Sequence, residues 1–335
     1  MQLLKTFTKG GVHPPENKFS EDKSIEKLGL PKQVSIPIAQ HIGAPSKPVV
    51  KKKDKVRVGD VIAESQGFVS SNIHASVSGT VSKVGEVVDT TGFRKPAVVI
   101  NVEDDEWNEN IDTSADLITD ISYSSREIVD KILKGGIVGM GGATFPSHVK
   151  LSVPEGKKID TLLINGVECE PYLTSDHRVM LERAEEMLVG IKLLRKALGV
   201  DRVLIGIEHN KPDAINHITN LVKDENGIEV YPLKVKYPQG GEKQLIKALL
   251  DREVPSGGLP LDVGVVVHNV GTALAVYEAV QKNKPLVERV VTVTGKSLSK
   301  PSNFLVRIGT PVKDLIEAAG GLPDDTGGRD GGRAR

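Results

Sequence analysis

The chain carries a single cysteine, Cys169, among its 335 residues. One thiol cannot close an intrachain disulfide, and by itself it cannot hold a zinc ion or an iron–sulfur cluster, because such sites need several protein ligands. The eight histidines are scattered without a metal-ligand spacing such as HxxxH. The sequence therefore predicts no metal site in this chain.

Neither sign of charge is in excess, since lysine plus arginine and aspartate plus glutamate number 44 each. No overall electrostatic field therefore favours nucleic acid as a partner. Long apolar runs are also lacking, because the longest, near residues 263–267, is only as long as a strand. The N-terminus lacks the apolar core of a signal peptide. We expect a soluble cytoplasmic protein with no transmembrane segment, which could still dock onto a membrane complex.

A glycine-rich loop is the most informative feature that is present. Gly139, Gly141 and Gly142 fall within four residues, and Lys150 follows shortly afterwards. Closely spaced glycines let the backbone approach a ligand and turn its N–H groups towards an anion, and a lysine adds a point charge for a phosphate. Ordinary turns also use glycine, so the loop alone is weak support for a nucleotide site.

Polar residues follow the apolar segment 161–164, which is typical of a buried strand. Asn165, Glu168 and Glu170 come directly after it. Open α/β sheets place their ligands at the carboxyl ends of strands, so these side chains are in a suitable place for one. Together with the glycine loop they predict a nucleotide site.

Two further clusters stand where a strand passes into a helix. Gly240 and Gly241 lie in the segment 237–242, and Asn269 and Thr272 lie at the next such junction. Each cluster alone is more typical of an ordinary βα turn or a capped helix start. Because strand ends of one parallel sheet meet at the same edge, we expect the clusters to converge there.

Cys169 invites interpretation as a nucleophile, but its neighbours argue against that role. Glu168 and Glu170 flank it, and neighbouring carboxylates raise the pKa of a thiol. We predict a packing residue.

The pattern of short strands and amphipathic helices predicts a multi-domain α/β chain. Ser124 and Glu127 have the spacing of a capping box at the start of a helix. The segments expected beyond residue 124 are a long helix over 176–198, strands at 202–207, 228–235, 263–268, 289–294 and 304–308, and helices at 212–223, 242–250, 271–281 and 312–319. The domains expected are an extended arm at 1–30, a β-rich domain at 31–103, a linker at 104–123, an α/β domain at 124–285, a small α+β module at 286–322 and a disordered tail at 323–335.

Residues 55–81 resemble a biotinyl or lipoyl half-barrel, in which a lysine at a hairpin tip carries the swinging group. Gly67 stands where that lysine would be. The resemblance therefore implies a barrel-sandwich fold without the attachment chemistry of an acyl carrier.

Four motifs together resemble the C subunit of the Rnf electron-transport complex, over the chain to about residue 326. They are GVHPPENK at 11–18, QHIGAP at 40–45, and the segments 138–150 and 165–176. The resemblance implies a peripheral subunit on the cytoplasmic face of the membrane, in a complex that couples electron transfer between ferredoxin and NAD to ion pumping. Its partners would be the other subunits and, through the complex, ferredoxin, with no nucleic acid.

The central part is similar to the NADH-binding flavoprotein subunit of respiratory complex I, which implies FMN and NAD(H) as cofactors. It also implies a Rossmann-like fold for 124–285 and a β-grasp module of the SLBB type for 286–322. The FMN contacts that it implies are Gly139, Gly141, Gly142, Lys150, Asn165, Glu168, Tyr237, Gly240, Gly241, Asn269 and Thr272. The NADH contacts that it implies are Phe145, Glu170 and Glu242. The flavin would carry out hydride transfer, so no catalytic side chain is expected.

Members of this family continue into a region with cysteines for two [4Fe–4S] clusters, which this chain does not contain. We therefore expect a truncated form that ligates no cluster. A different function also stays open, namely a docking subunit whose nucleotide site is vestigial.

Overall fold

A computed structural model describes residues 4–323 of the chain. All of the predicted disordered tail except Pro323 lies outside the described residues.

The strands are β1 Ile25–Lys27, β2 Gln33–Pro37, β3 Lys47–Pro48, β4 Lys55–Val56, β5 Val61–Glu64, β6 Ile73–His74, β7 Ser78–Val88, β8 Arg94–Asp104, β9 Thr161–Gly166, β10 Arg202–Glu208, β11 Ile228–Leu233, β12 Val265–Asn269, β13 Glu288–Val293 and β14 Ser302–Arg307. The helices are α1 Ser125–Lys134, α2 Ser147–Leu151, α3 Ser175–Glu182, α4 Ala184–Leu198, α5 Pro212–Val222, α6 Glu242–Leu250, α7 Val270–Gln281 and α8 Val312–Ala318, with a 3₁₀ turn at Pro260–Val263.

The chain divides into two compact units. The first, which we call the parallel-sheet unit, comprises residues 4–21, Leu117–Val129 and Lys150–Tyr277. The second, which we call the sandwich unit, comprises Asp22–Asp116, Asp130–Val149 and residues 278–323.

The parallel-sheet unit is built on four parallel strands in the order β11-β10-β9-β12. The residues of β12 are buried throughout, as are all but one of those in β9, as expected for strands covered on both faces. Helix α6 packs its apolar residues, such as Leu245 and Leu249, onto this sheet together with Leu163 and Val267. The hydrophobic effect of this shared core stabilises the sheet.

The sandwich unit contains two β-sheets of the barrel-sandwich type and a third small sheet. The order is β2-β8-β7-β4 in one sheet and β3-β5-β6 in the other. Val34 and Ile36 of β2 point into the core between the sheets, and the exposed or half-buried residues alternate with them.

The third sheet has the order β1-β14-β13, with α8 packed on it through Leu315 against Phe304 and Val306. Strand β1 pairs in parallel with β14, and Ile25 lies opposite Asn303. Part of the segment predicted as an arm is therefore an edge strand, a pairing across the chain that local patterns do not reveal.

Most predicted elements beyond residue 124 are present with ends shifted by one or two residues, and α6 has the predicted bounds. The capping box is confirmed, since the Glu127 carboxylate accepts hydrogen bonds from the Ser124 amide and hydroxyl at 2.7 and 2.6 Å.

The single long helix predicted over 176–198 is wrong, because α3 and α4 are separate. Arg183 between them has φ −129°, outside the helical region. Its amide still donates to the Val179 carbonyl at the end of α3, while its side chain pairs with Glu186 in the first turn of α4 at 2.7 Å. The apolar periodicity continues through this position, so the sequence pattern hides the break.

Among residues 4–323, no helix combines the length and the apolar character needed to cross a bilayer.

His268 is a buried titratable residue of the parallel-sheet unit. His268 on β12 is 3% exposed, and its Nε2 atom finds no hydrogen-bond partner among the described residues. Burial, helped by the nearby Lys150 charge, lowers its pKa from 6.5 to about 3. The folded chain therefore keeps this imidazole neutral at mildly acidic pH.

This burial predicts acid sensitivity. Below pH 6.5 the unfolded chain binds a proton at residue 268 that the folded chain excludes. The free energy of unfolding therefore decreases as the pH is lowered, by up to about 1.4 kcal/mol per pH unit for this group. Urea unfolding between pH 7 and about pH 4.5 should show a shallower pH dependence for His268→Gln than for the wild type. The exposed His217→Gln serves as control, and equal slopes in all three proteins would contradict the assignment.

Candidate functional site

The carboxyl ends of the parallel strands bring the predicted clusters of this unit together. The Asn165 side-chain amide at the end of β9 donates to the Gly240 carbonyl at 2.8 Å, and the Asn269 side chain at the end of β12 donates to the Asn165 carbonyl at 3.4 Å. One asparagine therefore links the turn that precedes α6 to the end of β12. The predicted convergence at one sheet edge is observed.

Lys150 lies in the same cluster. Its ammonium pairs with the Glu242 carboxylate at 2.7 Å and donates to the Val267 carbonyl at 3.0 Å. Both side chains keep about a third of their surface exposed, 28% for Lys150 and 38% for Glu242. The lysine is therefore held in place by two contacts and is still open to solvent.

Asn269 and Thr272 occupy the start of α7. The Asn269 side-chain oxygen accepts the amides of Gly271 and Thr272 at 2.8 and 3.4 Å, which satisfies donors that a helix N-terminus leaves free. The Asn269 side-chain nitrogen donates to Asp176 at 2.5 Å. Thr272 is fully buried.

Glu168 caps a second helix. Its carboxylate accepts the amides of Asp176 and His177 at 2.7 and 3.2 Å, at the start of α3. Its side chain is buried, and its backbone has φ +48°, in the left-handed region. These bonds commit the carboxylate to the helix N-terminus, where the helix dipole favours a negative charge.

Glu170 and Tyr237 face solvent more than the other predicted residues of this unit. Glu170 is exposed, and Tyr237 is 38% exposed and joined by two backbone hydrogen bonds to Val12. Gly241 ends the turn as the residue before α6. A Cβ there would lie 2.6 Å from the flexible end of the Gln244 side chain and 3.1 Å from the Pro238 carbonyl oxygen.

Cys169 is a packing residue, as predicted. Burial first, and then the Glu170 charge, raises its pKa to about 12, so it stays a neutral thiol. Its sulfur accepts the Gly240 amide at 3.3 Å.

A buried acid–base pair beneath this edge was missed by the sequence analysis. Glu208 and Lys211 are almost fully buried, with 3.9 Å between carboxylate oxygen and ammonium nitrogen. Lys211 also donates to the Val167 carbonyl at 2.9 Å. Burial is the main cause that raises the pKa of Glu208 to about 7. Charged residues at the end of a strand and the start of a helix are the only signal that the sequence offered.

Lys18 was missed as well. It lies in the GVHPPENK motif, and its ammonium donates to the carbonyls of Glu168, Glu170 and Leu173. Within the described part of the chain, no group of three or more histidine, cysteine, aspartate or glutamate side chains is placed to hold a metal ion.

The glycine loop belongs to the sandwich unit. The Gly139 amide donates to the Phe145 carbonyl at 2.9 Å, and a bridge between Val138 and Pro146 closes the loop. Gly141 and Gly142 are exposed.

The structure shows no backbone conformation in this loop that requires glycine, and no close packing that requires it at Gly139 or Gly142. Gly139, Gly141 and Gly142 have no φ in the left-handed region. A Cβ built on Gly142 meets no atom of the described residues within 4 Å, and one on Gly139 meets only Phe145 backbone atoms at 3.7 and 3.8 Å. A side chain at Gly139 or Gly142 would therefore meet no steric clash among the described residues.

Three family models match the chain. Residues 6–106 match the RnfC barrel sandwich hybrid domain, residues 132–278 the Nuo51 FMN-binding domain and residues 290–333 the SLBB domain. The predicted mixed α/β chain with these three parts is confirmed at this level.

A solved structure, the air-oxidised NAD⁺-reducing [NiFe]-hydrogenase, is similar over 58% of this chain and 39% of its own. The TM-score is 0.51 at 21% identity, a likeness that concerns the fold alone.

Relatives match nearly the whole chain. The C subunit of the proton-translocating ferredoxin:NAD(+) oxidoreductase complex of Clostridium ljungdahlii is 47% identical over 96% of this chain and 70% of its own length. The Na(+)-translocating counterpart of Acetobacterium woodii is 45% identical over 95% of this chain and 72% of its own. With this identity over this coverage, the chain belongs to the RnfC family, the C subunits of ion-translocating ferredoxin:NAD⁺ oxidoreductase complexes.

Proposed function

We propose that this chain is the FMN- and NADH-binding subunit of an ion-translocating ferredoxin:NAD oxidoreductase. The observation that carries the proposal is the meeting of three strand-end clusters at one edge of the parallel sheet. Asn165 joins them through its side-chain amide and its backbone carbonyl, and the Lys150 ammonium lies among them. Such an edge is where open α/β sheets bind nucleotides.

The residues present fit a flavin nucleotide. Lys150 supplies a positive charge for a phosphate. The amides of Gly240 and Gly241 are bonded to Cys169 and Pro238, and their turn leads into the N-terminus of α6, which favours an anion. The open space at Gly142 suits a flat ring system that approaches the backbone closely.

The residues have separate roles in this proposal. The residues that hold FMN in the parallel-sheet unit are Lys150, Asn165, Tyr237, Gly240, Gly241, Asn269 and Thr272. Gly139, Gly141 and Gly142 of the loop stay predicted FMN contacts. Because its carboxylate caps α3, Glu168 contributes through the peptide groups of its turn.

The exposed Glu170, together with Glu242 and Phe145, binds NADH. When bound, FMN would supply the chemistry of hydride and single-electron transfer. The protein orients the reactants and excludes water, and we assign no general acid or base.

The wider setting is also proposed. The names of the relatives support a subunit that works with the other subunits and with ferredoxin. A place at the cytoplasmic face of a membrane is part of the proposal and rests on the resemblance alone. With one cysteine, this chain would pass electrons to clusters held elsewhere. The Rossmann-like description of 124–285, the β-grasp description of 286–322 and the predicted domain boundaries belong to the same proposal.

Flavin binding tests the proposal directly. The purified chain is mixed with FMN and desalted, and quenching of flavin fluorescence gives the stoichiometry and Kd. Stoichiometric retention supports the proposal. A colourless protein after desalting favours the docking subunit with a vestigial site.

Gly142→Val tests the loop. Two γ-carbons would fill the open space, so FMN affinity should fall at least about tenfold, while stability stays within about 0.5 kcal/mol because nothing in the chain is displaced. Gly29→Val is the matched control, since its Cβ also meets no described atom within 4 Å. Wild-type FMN affinity in folded Gly142→Val would exclude the loop from the site.

Lys150→Ala tests the phosphate contact in the parallel-sheet unit. FMN carries the phosphate and riboflavin does not, so the loss of a charge-assisted hydrogen bond should weaken FMN by about 1–3 kcal/mol and riboflavin much less. Lys157→Ala, which removes an exposed lysine paired with Asp262, is the control. Equal losses for the two flavins would place Lys150 away from the phosphate.

A further inference from the structure

The turn between β9 and α3, residues 168–173, is held by a segment far away in the sequence. We call residues 16–21 the strap. The Tyr172 amide donates to the Glu16 carbonyl at 2.8 Å, and the Ser20 and Thr174 hydroxyls are 2.7 Å apart. The strap and the turn therefore touch on both sides of Lys18.

Lys18 is the centre of this contact. Its ammonium donates to the carbonyls of Glu168, Glu170 and Leu173 at 2.9, 3.0 and 2.6 Å. An ammonium has three N–H donors, so this arrangement uses all of them. Three carbonyl dipoles that point at one spot repel each other unless a cation or donor lies between them.

The turn has a backbone that needs such support. Glu168 and Tyr172 have φ of +48° and +73°, which residues other than glycine rarely adopt. On the strap, Asn17 has φ +47°, a conformation that asparagine tolerates better than most residues, and it precedes Lys18. The motif GVHPPENK thus contains both the bend and the lysine that the contact requires.

Burial is the main cause that lowers the pKa of the Lys18 ammonium. The Lys211 charge acts in the same direction, and the carboxylates of Glu168, Glu208 and Glu170 oppose the shift. The three carbonyls and these carboxylates therefore offset part of the cost of burying the charge.

We propose that Lys18 is a positioning residue for the nicotinamide nucleotide. It gathers the three carbonyls of the turn and fixes the backbone of Glu170, so that the exposed Glu170 carboxylate stands ready for NADH. This inference rests on the proposed function and adds to it a residue of the N-terminal strap. Lys18 contacts the turn and takes no part in the chemistry.

The test compares Lys18→Met with Lys23→Met, which removes an exposed lysine that pairs only with the neighbouring Asp22 in the described structure. Steady-state NADH oxidation by the FMN-loaded chain, with a soluble dye as acceptor, gives KM and kcat. Hydrogen exchange of the cofactor-free chain reports the amides of residues 168–174.

Lys18→Met should raise KM for NADH by about tenfold with FMN Kd changed less than about threefold, as expected when one charge-assisted contact is lost. Exchange in residues 168–174 should become faster by a similar factor, and Lys23→Met should change neither quantity. Ile218→Val, a buried substitution in α5, shows what general destabilisation does to KM.

An unchanged KM in Lys18→Met, or an FMN Kd that rises as much as KM, overturns the inference while the proposed function stands. A wild-type chain that binds FMN and is not reduced by NADH overturns the proposed function and the role of Lys18 with it. If Lys18→Met does not fold, Lys18→Arg is measured in the same way, because a planar guanidinium keeps the charge but not the three-donor geometry. A raised KM in that variant supports the inference, and an unchanged KM overturns it.

Discussion

The parallel sheet of the first unit buries both faces of its strands, and this constraint decides where polar chemistry can lie. Backbone groups within the strands pair with each other, so polar side chains that are free to act gather at the strand ends. Asn165 uses that edge to join the turn before α6 to the end of β12. The positions of Lys150, Glu242 and Asn269 around this edge follow from the arrangement of the strands.

Two polar side chains at this edge, one carboxylate and one amide, are already engaged in capping helices. Glu168 caps α3 and Asn269 caps α7, so the starts of both helices are tied to the same strand ends. This coupling ties the strand ends to the helix starts and leaves Lys150, Glu170, Tyr237 and Glu242 as the more exposed groups of the edge. A preorganised edge of this kind reduces the entropy that ligand binding must overcome.

Local signals allowed much of this to be predicted. The Ser124–Glu127 capping box, the bounds of α6 and the meeting of strand-end clusters follow from spacing within a few residues or from the geometry of parallel strands. The pairing of Ile25 with Asn303 and the contact of Lys18 with the turn depend on partners distant in sequence, and the break at Arg183 lies within an apolar periodicity that continues through it. Periodicity does not encode such contacts, so the long helix and the unpaired arm were natural expectations from sequence.

The central claim is that this chain accepts a hydride from NADH through bound FMN. Anaerobic titration of the FMN-reconstituted chain with NADH, followed through the visible absorption band of the flavin, tests it most directly. The account predicts bleaching with stoichiometric NADH and no bleaching in a matched sample that receives NAD⁺ instead. A flavin that stays bound and oxidised in excess NADH would contradict it.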